Sequence, residues 1–450
     1  MTGFLARSRP GAATVKNVPR IRHGVVMLAA LLVTGCSSGI GAASSAPSPR
    51  ASAPVSVSPP PPSPSARPSG SPAERTLAAM SLRDKVAQLF TIVVWGQKAG
   101  AASKENEARY GVGTPAQVVE KFRPGGVILF DWAGNVSGAS QVAALTTGLR
   151  EAAARSGEAP LMIGVDQENG LVSRLKSLVT RFPGASEIGE TGKTANARDV
   201  ARATGEELRD LGISLDFAPV ADVNINPRNP VIGPRAYGSD PGKVAAMVGA
   251  AVDGFHAADV ASVAKHFPGH GDTSVDSHTG LPVITHSKTQ WRKLDAPPFR
   301  AAIAHDVDAI MSAHVVMPKL DPSGDPATLS HRILTGLLRE ELGFDGVIST
   351  DALDMAGVRK KYGDAEVAVR AVLAGADMLL MPPNLPKAYD AVLDAVKSGR
   401  ISERRIDESV LRILRLKEKR GVFGPIRTDP GALKSAAHRK VAERVFAAVR

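Results

Sequence analysis

Eight short apolar segments, separated by stretches long enough for helices, constrain the fold of this chain more than any other feature. They cover residues 91–95, 126–130, 161–166, 214–220, 260–266, 309–314, 346–351 and 378–382. Most are continuous apolar runs, which are typical of parallel strands buried on both faces. Helical patterns fill the stretches between them, for example at residues 195–211 and 243–256.

This alternation predicts an α/β fold, specifically a (β/α)₈ barrel of the TIM type formed by a single domain. A doubly wound open sheet is the alternative, but eight strand–helix units are the number that a barrel contains. Near the end of the chain, residues 402–420 carry many alternating charges and are predicted to form a solvated outer helix. A short basic helix is expected at 432–450, within a tail that starts at residue 429.

The first 35 residues have the composition of a bacterial export signal. Their apolar run, residues 24–34, is too short to span a bilayer as a helix and suits the hydrophobic part of a signal peptide. It leads into Val33-Thr34-Gly35-Cys36, which is similar to a lipobox. Because Cys36 is the only cysteine, we predict that it is lipidated and becomes the mature N-terminus. The alternative is an ordinary signal peptide cleaved near a bystander cysteine.

Residues 36–74 are predicted to be a disordered linker. Of residues 37–73, 32 are Ser, Pro, Ala or Gly, which cannot bury enough apolar surface to offset chain entropy. The folded part is therefore expected to start near residue 74. Of the net charge of +11, five positive charges lie in the leader. The rest is a diffuse excess, so we expect no nucleic-acid partner.

The segment at residues 264–282 carries the highest density of reactive side chains. It contains Lys265, His266, His270, Asp272, Asp276 and His278, among glycines that would let the backbone approach a ligand. Three histidines and two aspartates could hold zinc or iron. Alternatively, Asp276 orients His278 and stabilises its charged form, so that the imidazole donates and accepts protons near neutral pH. Solvated loop residues are the third interpretation.

Three further segments place charged residues after predicted strands. Asp351 ends an apolar strand and could act as a nucleophilic carboxylate, or could cap the following helix. Asp354 is a weaker candidate because it is expected inside that helix. Asp166, with Glu168 and Arg174 nearby, suits sugar hydroxyls, although Asp166 could also be a helix cap. Arg235 could bind a polar substrate group through its planar fork of donors.

Together these segments resemble glycoside hydrolase family 3, and within it the bacterial β-N-acetylglucosaminidase (β-hexosaminidase) branch in its lipoprotein form. The motifs are KHFPGHGDTSVDSHTGLP, STDALDM, VDQENGLVSRL and NPVIGPRAYGSDP. The similarity spans about residues 76–423. It implies a (β/α)₈ catalytic domain at 75–428 and a retaining, double-displacement mechanism without metal or cofactor. Many members continue into a second α/β domain, whereas a single domain is expected here.

The resemblance also implies roles for individual residues. Asp351 matches the nucleophile, and Asp276 and His278 match the dyad of this branch, with His278 as the general acid/base. The residues that match the family's sugar-binding positions are Asp166, Arg174, Arg235, Lys265 and His266. One departure is Asn169-Gly170-Leu171, where the family often has Gly-Gly-Arg.

The implied function is release of terminal GlcNAc from peptidoglycan fragments by a monomeric exo-enzyme. The enzyme would be exported, anchored through Cys36 to the outer face of the cytoplasmic membrane, and partly shed. A β-N-acetylglucosaminide phosphorylase, a broad β-glucosidase or β-xylosidase, and a non-catalytic wall-binding lipoprotein are the alternatives.

Overall fold

The computed structural model describes residues 70–157, 159–277, 280–359, 361–425 and 427–449. All of them belong to one compact unit, Ala66–Arg450. The predicted export signal, the lipidation site Cys36, nearly all of the linker and the predicted acid/base His278 lie outside the described residues.

Eight parallel strands form the barrel, and a two-stranded hairpin follows the third of them. In chain order the strands are β1 (Phe90–Ile92), β2 (Gly126–Ile128), β3 (Met162–Val165), β4 (Gln167–Asn169), β5 (Val172–Ser173), β6 (Leu215–Asp216), β7 (Ala261–Phe267), β8 (Ala309–Ser312), β9 (Val347–Ser349) and β10 (Leu379–Leu380). Strands β4 and β5 are the antiparallel hairpin, and the other eight pair in the order β10-β1-β2-β3-β6-β7-β8-β9.

The sheet closes on itself. Phe90 of β1 pairs with Leu379 of β10, and a bridge between Ser349 and Met378 joins β9 to the segment entering β10. Each of the eight predicted apolar segments overlaps one barrel strand, so the (β/α)₈ prediction is confirmed. The alternative of a doubly wound open sheet is wrong, because an open sheet has two edge strands that do not pair with each other.

Helices surround the barrel. The α-helices are α1 (Pro72–Ala79), α2 (Leu82–Gln88), α3 (Lys104–Tyr110), α4 (Pro115–Phe122), α5 (Ala139–Arg155), α6 (Ala185–Glu190), α7 (Thr194–Asp210), α8 (Pro241–Ala257), α9 (Lys288–Leu294), α10 (Ala296–Ala304), α11 (Ala356–Arg359), α12 (Asp364–Ala374), α13 (Leu385–Lys397), α14 (Glu403–Lys419) and α15 (Ala436–Val449). Short 3₁₀ turns cover Lys176–Leu178, Gly233–Arg235 and Ala327–Leu329, and Arg332–Glu341 is π-helical. None of the described helices is long and apolar enough to cross a membrane.

The start of α8 shows how the local sequence sets a helix boundary. The Asp240 side chain accepts a hydrogen bond from the Lys243 amide, and Pro241 occupies the first helical turn. An acidic N-cap satisfies an amide that has no partner within the helix, and proline fits there because it has no amide to satisfy. The helices predicted at 195–211 and 243–256 are α7 and α8 with shifts of one or two residues at each end.

The prediction of a solvated outer helix at 402–420 is wrong for one face of α14. Ile406, Val410 and Ile413 are buried against the barrel, whereas the exposed face carries charges such as Arg404, which pairs with Glu408 at 3.2 Å. The apolar residues recur at helical spacing, and the many charges between them hide that stripe in the linear sequence.

The helix expected at the chain end is α15, and it packs onto the domain. Both ring nitrogens of His438 form hydrogen bonds to carboxylates of α7, at 2.9 Å to Glu206 and 2.9 Å to Glu207. Ala442 and Val445 belong to the same small apolar cluster as residues of α6 and α7. The tail therefore covers one side of the α6–α7 pair.

A buried carboxylate connects two outer helices to the N-terminal end of the barrel. Asp308, just before β8, is contacted by Arg420 at 2.8 to 3.1 Å, by His256 at 3.1 Å and by the Ser262 amide at 3.0 Å. Burial opposes ionisation, but the His256 hydrogen bond and the Arg420 charge outweigh it and lower the pKa of Asp308 to about 2. Asp308 is therefore ionised at neutral pH.

We expect Asp308→Asn to lower the free energy of unfolding by about 3 kcal/mol at pH 7, because Arg420 would stay buried without its counter-charge. Urea denaturation followed by circular dichroism measures this loss. The control is Asp306→Asn, which removes an exposed partner of Lys419 and should change stability by less than about 0.5 kcal/mol. Equal losses of stability in both variants would contradict the assignment of Asp308 as the buried counter-charge of Arg420.

Candidate functional site

The carboxyl ends of the barrel strands surround a cavity of about 300 Å³. Its lining comes from every side of the barrel mouth and includes Ile128, Phe130, Trp132, Asp166, Glu168, Arg174, Val231, Arg235, Lys265, His266, His270, Ser277, Met311, Asp351, Asp354, Leu380 and Met381. In a (β/α)₈ barrel this end is where binding and catalytic residues collect, because eight loops converge there on one rigid frame.

Six of the predicted site residues line this one cavity. They are Asp166, Arg174, Arg235, Lys265, His266 and Asp351. Asp276 lies in the turn just before Ser277, and Ser277 is part of the lining. His278 and Cys36 are outside the described residues, so their roles stay predictions.

Two acids and two bases form an ion cluster in the wall of the cavity. The Lys265 Nζ atom lies 2.7 Å from both Asp166 Oδ1 and Glu168 Oε1. The Arg235 guanidinium binds Glu168 through two bonds, at 2.8 Å from Nε and 2.7 Å from Nη2. Glu168 is thus the centre of the cluster. The sequence suggested it, with Asp166, as one of two carboxylates suited to sugar hydroxyls, but did not predict its pairing with Lys265 and Arg235. The sequence signal for this position is its spacing of two residues from Asp166, because side chains two residues apart in an extended segment lie on the same side.

Mutual pairing keeps the ion cluster charged. Burial opposes ionisation of Glu168, but the charges of Lys265 and Arg235 outweigh it and lower the pKa of Glu168 to about 2. Burial likewise disfavours the charged form of Lys265, but Asp166 and Glu168 outweigh it and raise its pKa. The cluster therefore offers charged donors and acceptors to a ligand at neutral pH.

The β4–β5 hairpin holds this part of the site in place. The Gln167 amide donates to Asp216 Oδ1 at 2.9 Å, and the Gln167 side chain donates to Ser173 at 2.9 Å. Gly170 at the turn has a φ of +58°, and a Cβ there would lie 2.5 Å from the Cα of Gly184. Only glycine fits this left-handed, close-packed position. Because β4 follows Asp166 directly and no helix begins there, the helix-cap alternative for Asp166 is wrong.

Arg174 reaches the cavity from the segment after the hairpin. Its backbone amide donates to the Asp166 carbonyl at 3.3 Å, and its guanidinium lies 5.4 Å from the centre of the Phe130 ring. Its Nε atom is buried without a hydrogen-bond partner among the described residues. A ligand that supplies an acceptor at this point would satisfy that donor.

A second buried acid, Asp222, organises the start of the loop after β7. It accepts hydrogen bonds from His266 Nδ1 at 2.7 Å and from the amides of His266 and His270, at 3.2 and 2.7 Å. Burial raises the pKa of Asp222, but the His266 charge and hydrogen bond outweigh it and lower the pKa overall. A carboxylate only accepts, so the proton of this hydrogen bond is on His266 Nδ1. Asp222 was not predicted as a site residue, because its partner His266 lies 44 residues away in the chain.

The glycines of the 264–282 segment allow close packing of the loop itself. A Cβ on Gly271 would lie 1.6 Å from the Val223 carbonyl oxygen, so the backbone passes directly over the segment after β6. Glycine is therefore required at residue 271 for the loop to pack against the protein itself.

The ring of His270 is held within the same loop. Its Nε2 atom is 2.9 Å from the Ser277 hydroxyl, and burial lowers the pKa of His270 to about 4. The imidazole is therefore neutral at pH 7. Across the described ranges, which exclude His278, no group of three or more His, Cys, Asp or Glu side chains is arranged to hold a metal ion.

Asp351 stands at the mouth, two residues after β9. Its Oδ1 atom accepts a hydrogen bond from the Ala352 amide at 2.8 Å. The next helix, α11, starts only at Ala356, so the helix-cap alternative for Asp351 is wrong. The Ala352 carbonyl is 2.9 Å from His314 Nε2, and this buried histidine therefore fixes the turn that carries Asp351.

Asp354 lies in the turn before α11, not inside a helix as expected from the sequence. It lines the cavity together with Asp351. Partial desolvation by the cavity walls and the neighbouring charge of Asp351 raise the pKa of Asp354.

We expect Glu168→Gln to destabilise the protein in a pH-dependent way. The folded-state pKa of about 2 is below the ordinary 4.5, so the charged form contributes stability that is present above pH 4.5 and lost as pH falls towards 2. The loss at pH 7 should be about 3 kcal/mol, and it should shrink as the pH falls below 4.5. Urea titrations at pH 7 and pH 3.5 measure it, with Glu187→Gln on α6 as the control. A loss independent of pH would contradict the ion-cluster assignment.

The comparisons with known proteins agree with this geometry. Residues 81–416 match the family described as "Glycosyl hydrolase family 3 N terminal domain". The chain is 40% identical over 329 residues to "Beta-hexosaminidase A" of Pseudoalteromonas piscicida, covering 68% of this chain and 55% of that protein. It is 35% identical over 402 residues to "Beta-hexosaminidase LpqI" of Mycobacterium tuberculosis, covering 87% of this chain and 96% of the relative.

A solved structure of a family 3 β-N-acetylglucosaminidase from Paenibacillus sp. superposes with a TM-score of 0.76 at 42% identity. The match covers 82% of this chain and 69% of that one. The family match extends over most of the chain and includes every strand of the barrel. The chain therefore belongs to glycosyl hydrolase family 3.

Proposed function

We propose that the protein is an exo-acting, retaining β-N-acetylglucosaminidase that removes terminal GlcNAc from peptidoglycan fragments. Its substrates would be GlcNAc–MurNAc disaccharides and muropeptides. The observation that carries this proposal is the position of the Asp351 carboxylate beside a cavity whose opposite wall is the ion cluster. The names of the relatives support GlcNAc as the sugar.

The shape and charge of the cavity suit one terminal sugar. At about 300 Å³, the cavity at the end of the barrel has room for one terminal sugar, which supports an exo-acting enzyme. Asp166 and Lys265 would bind sugar hydroxyls as a paired acceptor and donor, and Arg235 and His266 would bind others. Because these groups are already oriented by each other, little ordering is needed when the sugar binds.

In the proposed mechanism Asp351 attacks the anomeric carbon while His278 protonates the departing glycosidic oxygen. This forms a covalent glycosyl ester on Asp351. His278 then takes a proton from water, which attacks the same carbon and releases GlcNAc with retained configuration. Asp276 would orient the imidazole and stabilise its charged form, and the 2-acetamido group would be bound without acting as a nucleophile.

We expect Asp351→Asn to lower kcat/KM on 4-nitrophenyl β-GlcNAc by at least about a thousandfold, because no covalent intermediate can form. The matched control is Asp345→Asn, an exposed aspartate before the same strand β9, which should retain wild-type activity. The wild type should prefer 4-nitrophenyl β-GlcNAc to the β-glucoside. Equal rates on both sugars would instead indicate the broad-specificity glycosidase.

We expect His278→Ala to lower kcat/KM on GlcNAc–MurNAc by about 10²- to 10⁴-fold, the range for loss of a general acid/base. The loss should be smaller on the 4-nitrophenyl substrate, whose leaving group needs little protonation. His305→Ala, which removes an exposed histidine paired with Asp253, is the control. Formation of GlcNAc-1-phosphate at high phosphate concentration would identify the phosphorylase alternative.

We also propose that the protein is exported and anchored to the outer face of the cytoplasmic membrane through lipid on Cys36. The chain's only cysteine lies at the lipobox position, which supports this proposal. We expect Cys36→Ser to move the protein from the membrane fraction to the soluble fraction, because stable anchoring needs acyl chains. Cell fractionation followed by immunoblotting measures the change, and an unchanged membrane fraction would contradict the anchor.

A further inference from the structure

A second cavity of about 320 Å³ adjoins the first at the carboxyl ends of β1 and β10. The two cavities share three wall residues, Trp132, Asp354 and Met381. We refer to the second one as the aromatic cavity, defined by these three residues together with Trp95 and Arg109. Of the candidate residues that the sequence suggested, only Asp354, the weaker candidate for the nucleophile, lies in its wall.

The aromatic cavity begins on the side of Asp351 that faces away from the ion cluster. Going round the barrel, the ion cluster is carried by the chain segments that follow β3 and β6 and by β7 itself, and Asp351 follows β9. The aromatic cavity lies beyond β9, at β10 and β1. If the ion cluster holds the terminal sugar and Asp351 attacks its anomeric carbon, the leaving group extends towards this second cavity.

Its walls present aromatic faces to a ligand. Trp132 is 54% exposed although it stacks on Phe130 at 4.6 Å, and its ring centre is 6.2 Å from that of Trp95. An indole held on one side by another ring and open on the other is a platform for the apolar face of a sugar. The aromatic cavity is thus suited to a second sugar ring.

A cation lies at the outer side of this cavity. Arg109, on α3, is exposed, and its guanidinium lies 4.6 Å from the centre of the Trp95 ring. Among the described residues none forms a hydrogen bond or ion pair with that guanidinium. The guanidinium is exposed and lies over the indole, and a planar fork of donors in this position can bind a carboxylate with two bonds.

We propose that the aromatic cavity is the leaving-group subsite and that Arg109 binds the carboxylate of an acidic aglycone sugar. This inference rests on the proposed function and adds a specificity-determining residue to it: Arg109 would favour a second sugar that carries a carboxylate, as MurNAc does on its lactyl group, over a neutral one. Asp354, in the wall of both cavities, would repel that carboxylate when it is ionised. A negative charge on Asp354 would thus oppose the preference for an acidic aglycone that Arg109 creates.

The test compares two disaccharides that differ in the aglycone, GlcNAc–MurNAc and the neutral GlcNAc–GlcNAc, with the full-length protein. The measured quantity is the ratio of their kcat/KM values. Arg109→Gln should lower this ratio at least about tenfold, the loss of a charge-assisted hydrogen bond. Asp354→Asn should raise it, because like-charge repulsion is removed. Arg83→Gln is the matched control, since Arg83 is also exposed and lies over an aromatic ring, that of Tyr389, at 5.7 Å.

The outcomes separate this inference from the proposed function. A wild type that cleaves both disaccharides, with a ratio that falls in Arg109→Gln and not in Arg83→Gln, supports the subsite. The same activity with an unchanged ratio in Arg109→Gln overturns it and leaves the proposed function intact. A folded wild type that cleaves neither disaccharide nor the 4-nitrophenyl substrate overturns the proposed function. Circular dichroism of each variant establishes that it is folded.

Discussion

The ion cluster of Glu168, Asp166, Lys265 and Arg235 is the arrangement on which the rest of the site depends. Removing each charge from water is unfavourable by several kcal/mol, and only close pairing of all four offsets this. The pairs are 2.7 to 2.8 Å apart, so a displacement of one strand by an ångström would leave a buried charge poorly compensated. The members come from separate parts of the chain. A closed barrel, whose strands cannot slide independently, is the frame that holds them in register.

Asp222 extends this frame to the loop after β7. By accepting from the His266 ring and from two backbone amides, it fixes where the loop leaves the barrel. The contact of Gly271 with Val223 then sets the loop's direction, because no other residue fits there. The neutral His270 ring bonds to Ser277, one residue beyond Asp276. The segment that leads to the proposed dyad of Asp276 and His278 is therefore held at Gly271 and by the bond between His270 and Ser277.

The sequence predicted the parts of this structure that depend on local patterns. Apolar runs identified all eight strands, and a charged residue at the end of a run identified Asp166, Lys265 and Asp351. It did not predict that Glu168 joins Lys265 to Arg235, because that pairing spans 67 residues of chain and depends on strand order. The aromatic wall was missed for a related reason. Trp132 becomes part of a cavity wall only because the fold brings the loop after β2 next to the loops after β10 and β1.

The mouth of the barrel contains two kinds of surface, and the proposed reaction explains why they are separated. The terminal sugar has to be recognised hydroxyl by hydroxyl and held while its anomeric carbon reacts, which requires directional bonds from fixed charged groups. The leaving group has to be bound but then released once the glycosidic bond is broken. Stacking on Trp132 is less directional and is made to an exposed surface, so it permits release. Asp354 lies in the wall of both cavities, and Asp351, whose charge acts on Asp354, lines the first of them, so the bond to be cleaved would lie near the boundary between the two surfaces.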